Sequence, residues 1–375
     1  MRVLIACDKF KGTLSAGQVA RIIREGLAAS MPDAEFDLCP IADGGEGTTE
    51  AVITATGGEW VEHPTEDARG RPRTARYGWL PAGGGAVMEM SAASGLAQVL
   101  DLPLQPELAG TRGTGLMMRH ALERGARRIM LGLGGSATND GGAGMAEALG
   151  FRFLDADGHD VTPLPSNFPR IHAVLPSRLR LCPVQAACDV ENPLLGPAGA
   201  TAVYGAQKGV RDAAFFEEGL ARLADVARRD LGVDFRHTPG AGAAGGLGWG
   251  LMAFCGATLT GGFELVAGLC GLEARMAAAD LVITGEGRLD VQTLCGKGPA
   301  GVARMARRLG KPVAAYAGVI EDSPALRECF DLAFASKPPE MELAAALAGA
   351  EGLLARAVAG SAARVAALPA GHVRH

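Results

Sequence analysis

The sequence predicts an α/β protein with a doubly wound parallel sheet, because a strand-helix-strand-helix pattern occurs near both ends of the chain. The apolar strand 3–6 is followed by a helical pattern, and the same alternation returns after residue 280. Chains that alternate strands and helices in this way form parallel sheets with helices packed on their faces. The strands predicted for this sheet are 3–6, 36–41, 281–284, 313–316 and 330–334.

The helices of this pattern each carry an apolar face. The first helix is expected to begin after Ser15, because Ser15 and Gln18 have the spacing of a capping box. Near the other end of the chain, a helix is predicted around 302–309. A single last helix is predicted from the spacing of Leu343, Leu347, Leu354 and Val358.

The middle of the chain has a different pattern, which predicts a second α/β domain. Residues 60–90 combine short strand-like pieces with prolines and a glycine turn, as antiparallel structure does. The elements predicted after them are strands 129–133 and 184–188 and helices 114–122 and 215–231. We therefore expect a discontinuous doubly wound domain, formed by 1–60 and 280–375, and an inserted α/β domain at 61–279. Residues 112–150 could belong to either domain, because strand 129–133 would also suit the parallel sheet.

Composition narrows the functional classes. The 375 residues are 48% hydrophobic and 21% charged, with a formal net charge of −5, which is typical of a globular protein and unlike the basic surface that nucleic-acid binding requires. The eight cysteines contain no C-x-x-C pair and do not cluster with histidine, so a zinc site is not expected. Without a signal-peptide pattern or a membrane-length apolar stretch, the chain is predicted to be cytoplasmic.

A glycine-rich loop in the segment LGLGGSATNDGGAGMAEALG at 131–150 is the strongest candidate for binding phosphate. It lies at a predicted strand-to-helix junction, where backbone N–H groups can bind anions. The sequence matches neither the Walker pattern nor G-x-G-x-x-G, and glycine pairs also serve simply to turn the chain. The residues expected to contact nucleotide phosphates are Gly134, Gly135, Ser136, Thr138 and Asn139.

Three other loops combine acidic residues with glycine at predicted strand ends. In open parallel sheets, ligands bind at the carboxyl ends of strands, although Asp and Gly are also common in ordinary turns. Clustered carboxylates suit Mg²⁺, and lysines suit a substrate carboxylate or a phosphoryl oxygen. Glu286 and Asp290 are therefore predicted to bind the metal. The predicted substrate-binding residues of these loops are Asp8, Lys9, Lys11 and Asp43.

Three further residues are candidates for chemistry, each with a structural alternative. Asp189 follows an apolar strand, where it would orient or deprotonate a hydroxyl or, alternatively, cap the turn. Lys208 would neutralise charge on a transferring group, or would be a surface lysine. Arg112 would bind a substrate carboxylate, or would form a structural ion pair. Together with the anion loop and the carboxylates, these residues indicate phosphoryl transfer.

The chain resembles the type I glycerate kinases of bacteria along its whole length. The matching segments are DKFKGTLSA at 8–16, IADGGEGT at 41–48, GLGGSATNDGGAGMAEALG at 132–150, CDVENPLLGPAGAT at 188–201, QKG at 207–209, GAGAAGGLG at 240–248 and ITGEGRLDVQTLCGKGPAGVA at 283–303. This resemblance implies ATP-dependent phosphorylation of D-glycerate, at the 2-hydroxyl rather than the 3-hydroxyl, with Mg²⁺. It also implies a flavodoxin-like domain interrupted by an α/β domain similar to restriction endonucleases.

Two other functional classes are weighed against this kinase interpretation. A nicotinamide-dependent oxidoreductase would use the parallel sheet for a dinucleotide, but Asp8-Lys9-Phe10-Lys11 follows the first strand where a G-x-G-x-x-G fingerprint is needed. A non-catalytic nucleotide or sugar-acid sensor is disfavoured by the acidic loops at the strand ends. The expected partner is the small-molecule substrate, with no nucleic acid and no membrane, and the chain is expected to be a monomer or a homodimer.

Overall fold

The computed structural model describes residues 1–291, 293–295, 298–321 and 323–368, except for the side chain of Cys295. The strands are β1 Arg2–Cys7, β2 Glu35–Leu38, β3 Glu59–Glu66, β4 Pro72–Leu80, β5 Gly85–Glu89, β6 Arg128–Gly132, β7 Arg152–Leu154, β8 Ala173–Leu175, β9 Val184–Ala187, β10 Thr258–Thr260, β11 Leu281–Leu289, β12 Val313–Ile320 and β13 Leu332–Ala335. The helices are α1 Ala16–Ala28, α2 Thr48–Thr56, α3 Ser91–Ser94, α4 Arg112–Glu123, α5 Ala143–Ala148, α6 Ala200–Tyr204, α7 Ala213–Leu231, α8 Ala243–Cys255, α9 Gly262–Cys270, α10 Leu272–Ala277, α11 Gly298–Arg308, α12 Pro324–Cys329, α13 Leu343–Ala348 and α14 Ala350–Ala366.

The chain divides into two compact units. Unit 1 consists of Met1–Asp43, Glu50–Gly58 and Phe263–His375, and unit 2 consists of Gly44–Thr49 and Glu59–Gly262. Segment 263–279, placed in the inserted domain by the sequence pattern, thus belongs to unit 1, and the short loop Gly44–Thr49 belongs to unit 2. None of the helices in the described part of the chain has both the length and the apolarity needed to cross a membrane.

Unit 1 contains a five-stranded parallel sheet in the order β13-β12-β11-β1-β2. Counted within the unit, this is the 2-1-3-4-5 order of flavodoxin. The chain moves in one direction from β1 to β2 and in the other from β11 to β13, so the strand order reverses between β1 and β11. Right-handed crossovers therefore put helices on both faces of the sheet, and the reversal opens a crevice at the carboxyl ends of these two strands.

The core of unit 1 explains why its strands and first helix were predictable. Val3, Ile5 and Cys7 alternate along β1 and are fully buried on one face of the sheet, against α1 and α14. Helix α1 begins with the predicted capping box, in which Ser15 and Gln18 bind each other's backbone N–H groups. The fold class predicted from the sequence, α/β with a parallel sheet, is confirmed.

The predicted last helix is two helices. Gly349 separates α13 from α14, and the apolar residues of the two helices have different environments. Leu354 and Val358 of α14 lie in the core, whereas Leu343 and Leu347 of α13 are 58% and 48% exposed. The spacing alone could not separate a core face from an exposed apolar surface.

Unit 2 contains a six-stranded mixed sheet in the order β10-β9-β6-β5-β4-β3. Strands β5, β6, β9 and β10 are mutually parallel, and β3 and β4 add an antiparallel hairpin. A two-stranded antiparallel sheet, β7-β8, completes the unit. The glycine-rich loop predicted to bind phosphate follows β6, so it lies at the carboxyl edge of this sheet.

Candidate active site

A cavity of about 380 Å³ lies in unit 1 at the carboxyl ends of β1, β11, β12 and β13. Its position at the reversal of strand order is where open α/β sheets bind ligands. Residues of all three predicted acidic loops line it: those after β1 and β2, and the segment 286–288, which forms the last part of β11. The polar lining residues are Asp8, Lys9, Lys11, Thr13, Asp43, Glu286, Arg288, Ser336 and Lys337.

Asp8 is the first residue after β1 and is almost fully buried. Its backbone N–H donates to the carbonyl oxygen of Gly285 at 2.8 Å, which continues the pairing of β1 with β11. One carboxylate oxygen of Asp8 accepts the backbone N–H of Lys9 at 2.6 Å. Burial raises the pKa of Asp8 to about 6; the Lys9 cation opposes this shift, and the Asp43 carboxylate adds to it.

Glu286 lies on β11, which extends five residues beyond the predicted strand end, to Leu289. Its Oε1 accepts a hydrogen bond from the hydroxyl of Thr293 at 2.7 Å. Burial raises the pKa of Glu286 to about 7, against the Thr293 hydrogen bond and together with the charges of Asp8, Asp290 and Asp43. These carboxylates therefore repel one another in a partly desolvated cavity, which favours binding of a cation.

Asp290, predicted as a metal ligand with Glu286, is engaged within its own loop. Its Oδ2 lies 3.3 Å from Nε of Arg288, and its backbone N–H donates to the Thr293 hydroxyl at 3.1 Å. Among the described residues, no three carboxylates of the cavity bring ligand atoms within 4.8 Å of one another. The carboxylates of Asp8, Asp43 and Glu286 nevertheless offer the oxygen ligands that Mg²⁺ prefers, and this ion commonly uses one or two carboxylates together with waters and substrate phosphates.

In unit 2, two backbone segments come together at the carboxyl edge of the sheet. Glu89, the last residue of β5, accepts the backbone N–H groups of Gly47 and Thr49 at 3.2 and 2.9 Å. A Cβ added to Gly134 would lie 3.0 Å from the Cα of Gly45. Gly134 and Gly135 are both exposed, so their backbone is accessible to a ligand.

The three polar residues predicted to join these glycines at a phosphate are buried. Ser136 is 8% exposed, and Thr138 and Asn139 have no exposed surface. The Asn139 amide donates to the hydroxyl of Thr201 at 2.9 Å, inside unit 2. Thr138 and Asn139 thus lie inside unit 2, and of the five predicted residues Gly134 and Gly135 are the exposed ones.

The N–H groups at the start of α5 are already bound, that of Met145 by the Thr111 hydroxyl and those of Gly142 to Gly144 by Asp140. This carboxylate is fully buried and accepts backbone N–H groups from Gly142 and Gly144, at 3.3 and 3.2 Å, and from Thr111 at 2.8 Å. It also accepts the Thr111 hydroxyl at 2.8 Å. Sequence reasoning missed Asp140, although an acidic residue just before a helix is a recognisable capping signal.

Lys208, predicted to act on a transferring group or to lie at the surface, is instead 2% exposed. Its Nζ donates to the carbonyl oxygen of Thr138 at 2.7 Å. Burial lowers the pKa of Lys208 to about 7, although the Asp140 carboxylate favours the charged form. Lys208 is therefore withdrawn from solvent and bound to the backbone of the loop after β6.

Asp189 and Arg112 both make the structural contacts that were their alternative interpretations, a turn contact and an ion pair. Oδ1 of Asp189 accepts the backbone N–H of Gly262 at 2.8 Å, yet the residue is exposed beyond the end of β9. The Arg112 guanidinium pairs with Glu66 and Glu147, at 2.7 and 3.3 Å. Asp189 thus combines a turn contact with access to solvent, whereas Arg112 is engaged by two carboxylates.

The glycine-rich segment GAGAAGGLG at 240–248 packs against the glycine-rich loop after β6. Ala244, Gly245 and Gly246 are successive left-handed residues, with φ of 53°, 69° and 87°. A Cβ at Gly245 would overlap the carbonyl oxygen of Thr138, and one at Gly250 would overlap that of Gly141. These glycines permit close backbone packing, which sequence patterns do not distinguish from ligand binding.

The chain is similar to known proteins over most of its length. The model of the Glycerate kinase family matches residues 3–366. A "Glycerate 2-kinase" of Escherichia coli (strain K12) is 44% identical over 332 residues, 86% of each chain, and a "Glycerate kinase" of Bacillus subtilis (strain 168) is 44% identical over 326 residues, 85% of each chain. A crystal structure from Salmonella typhimurium LT2, assigned as a glycerate kinase 2, superposes with a TM-score of 0.89 at 42% identity and covers 98% of both chains.

The extent of these matches includes both units and every loop that lines the unit 1 cavity. Relatives above 40% identity over more than four fifths of the chain show the family, and the superposed structure shows the same fold. This chain belongs to the glycerate kinase family, a family of phosphotransferases.

Proposed function

We propose that this chain transfers the γ-phosphoryl group of ATP to D-glycerate, at the 2-hydroxyl rather than the 3-hydroxyl, with help from Mg²⁺. Family membership supports the substrate, and the name of the Escherichia coli relative supports the position. The observation that carries the chemistry is the juxtaposition of Asp8 and Glu286 with Lys9 and Lys11 in one cavity. Phosphoryl transfer depends chiefly on positioning and on stabilising charge, and this lining supplies both signs of charge.

The lysines and carboxylates of the cavity have separate proposed roles. Lys9 and Lys11 bind anionic oxygens, those of glycerate and of the transferring phosphate. Asp8, Asp43 and Glu286 hold Mg²⁺, directly or through its waters, with Asp290 supporting this loop. The ion, when bound, neutralises charge on the phosphate oxygens. Buried Asp8 and partly buried Glu286 are kept in position by the Lys9 N–H group and the Thr293 hydroxyl.

In unit 2, the proposed participants are the groups that solvent can reach. Asp189 orients or deprotonates the attacking hydroxyl, since the residue is exposed and its carboxylate is held by the Gly262 N–H group. Gly134 and Gly135 offer backbone N–H groups to phosphate oxygens. Lys208 acts through the loop that it fixes, and Arg112, already paired with Glu66 and Glu147, is assigned a structural role.

A cytoplasmic location and a monomeric or homodimeric state complete the proposal. The seven cysteines whose side chains are described are free thiols, which suits a reducing compartment. Sedimentation of the purified chain distinguishes monomer from dimer.

The function is tested with purified protein, Mg-ATP and D-glycerate. ADP release should depend on glycerate and stop on addition of a chelator, and ³¹P NMR should identify 2-phosphoglycerate as the product. ADP formation equal to that of a reaction without glycerate would rule out the proposed activity, and 3-phosphoglycerate as the product would correct its position.

A further inference from the structure

The unit 1 cavity has an apolar wall that glycerate cannot use. Helices α13 and α14 contribute Leu343, Ala346, Leu347, Ala350 and Leu353 to its lining. Glycerate is a three-carbon acid in which every carbon carries oxygen, so it gains nothing from a row of leucine and alanine side chains. The polar residues that suit glycerate and phosphate come from the strand ends instead.

The size of the cavity also exceeds the needs of glycerate. Ligand cavities of about 300 to 1,000 Å³ typically hold molecules of drug size, with apolar walls and a few polar groups that fix orientation. The cavity has about 380 Å³ and combines such a wall with cationic groups. The volume of the cavity, its apolar wall and its cationic groups together suit a ligand with one flat apolar part and one strongly anionic part.

Leu343 and Leu347 are among the large hydrophobic side chains that the fold leaves exposed, at 58% and 48%. They lie one helical turn apart on α13, so both project along the same side of that helix. Their neighbours Ala344 and Ala345 are also exposed but do not line the cavity. An apolar surface of this kind is stabilised when a flat ring covers it.

The lysines of the cavity determine how a nucleotide would be oriented in it. Lys337, in the segment after β13, lies in the lining with Lys9 and Lys11, and its Nζ is held by the carbonyl oxygens of Pro338 and Pro339 at 3.1 and 3.3 Å. A base packed on α13 would leave its phosphates to be bound by these cations. The same cavity would then bring the terminal phosphate to the carboxylates at the ends of β1 and β11.

We infer that the apolar wall formed by Leu343, Ala346 and Leu347 binds the purine ring of the nucleotide, so that unit 1 carries the nucleoside subsite. This inference rests on the proposed use of ATP. It assigns α13 a binding role that the periodic pattern of the sequence, read as a core helix, did not suggest.

The test separates binding of the base from binding of the phosphates. Two separate variants are used, Leu347→Asn and Leu343→Asn. Both positions are exposed and asparagine is uncharged, so neither variant adds charge near the phosphates. Titration calorimetry on the full chain would measure the Kd of ADP and the Kd of inorganic tripolyphosphate, which has no base. Each variant should raise the Kd of ADP roughly tenfold, as expected from loss of apolar contact, and leave the Kd of tripolyphosphate unchanged.

Ala345→Asn is the matched control, because it puts the same side chain on the same helix outside the cavity. It should leave both dissociation constants at the wild-type value. An unchanged Kd of ADP in both leucine variants, or an equal loss for ADP and tripolyphosphate, would overturn the purine subsite. The glycerate-dependent ADP assay on the wild type decides the proposed function separately, since it can succeed when the subsite is wrong.

Discussion

The ammonium nitrogen of Lys208 lies 2.7 Å from the carbonyl oxygen of Thr138, and both residues are withdrawn from solvent. Lys208 precedes a left-handed glycine, Gly209, whereas Thr138 belongs to the loop after β6, so the contact joins two distant parts of unit 2. This hydrogen bond helps to hold the loop whose exposed glycines are proposed to contact phosphate, together with the bond from Asn139 to Thr201.

The buried lysine should make stability depend on pH. Its pKa is lowered from 10.5 to about 7 in the folded chain. Between these values the unfolded chain holds a proton that the folded chain lacks, so the free energy of unfolding should rise with pH from about 7 to 10.5 and be insensitive to this group below 7. Lys208→Met should lack this contribution.

The predicted pH dependence would be checked by measuring the melting temperatures of the wild type and Lys208→Met at intervals from about pH 6 to about pH 10, a range that covers most of the pKa shift. The difference in Tm between the two proteins should move in favour of the wild type as the pH rises. A difference that is constant across the range would show that Lys208 remains charged in the folded state.

Asp189→Asn should lower kcat about a hundredfold or more and change KM for glycerate far less, because a general base acts in the transition state. Asparagine keeps an oxygen that can accept the Gly262 N–H group, so the turn should be retained. Steady-state kinetics with Asp157→Asn as an exposed control would measure the effect. A near-normal kcat would remove Asp189 from the chemistry.

Glu286→Gln should increase the Mg²⁺ concentration needed for half-maximal activity, by about tenfold, because the cavity loses a carboxylate ligand. The amide can still accept the Thr293 hydroxyl, so the local hydrogen bond is preserved. Activity would be titrated with Mg²⁺ at fixed ATP, with Glu25→Gln on the exposed side of α1 as the control. An unaltered Mg²⁺ dependence would assign the metal to other carboxylates.

Gly245→Ala should destabilise unit 2 much more than Gly256→Ala does. Both glycines have left-handed backbones, with φ of 69° and 62°, so each alanine incurs a strain of about 1 to 2 kcal/mol. At Gly256 a Cβ meets nothing within 4 Å, whereas at Gly245 it overlaps the Thr138 carbonyl oxygen. The difference between the two variants in the free energy of unfolding, measured with denaturant, would give the cost of the overlap at Gly245. Equal losses of stability would mean that the loop containing Thr138 moves aside without cost.

Local patterns were sufficient to predict most of the fold. The alternation of buried residues in β1 and the Ser15–Gln18 capping box depend only on neighbours in sequence, and so does the apolar face of α1. The continuation of β11 through Glu286 and Arg288 was missed because these residues line a cavity and are polar, which hides the strand from a search for apolar runs.

The candidate site was predictable only in part, because burial is decided by distant segments. The acidic and lysine residues near the ends of β1 and β11 were found by the rule for open parallel sheets. The interior positions of Thr138, Asn139 and Lys208 depend on packing against residues that lie far along the chain, such as Gly245 and Thr201. A pattern of glycine and hydroxyl residues does not encode those contacts.

The discontinuity of unit 1 also sets an order of assembly during synthesis. β1 pairs with β11, so Val3 has no partner strand on that side until Leu281 has left the ribosome. Almost all of unit 2 is a continuous segment, Glu59–Gly262, which is complete before β11 is made. Domains fold as units while the chain emerges, so β1 waits for the last quarter of the polypeptide to complete its sheet, and until then its apolar face lacks its neighbour on the β11 side.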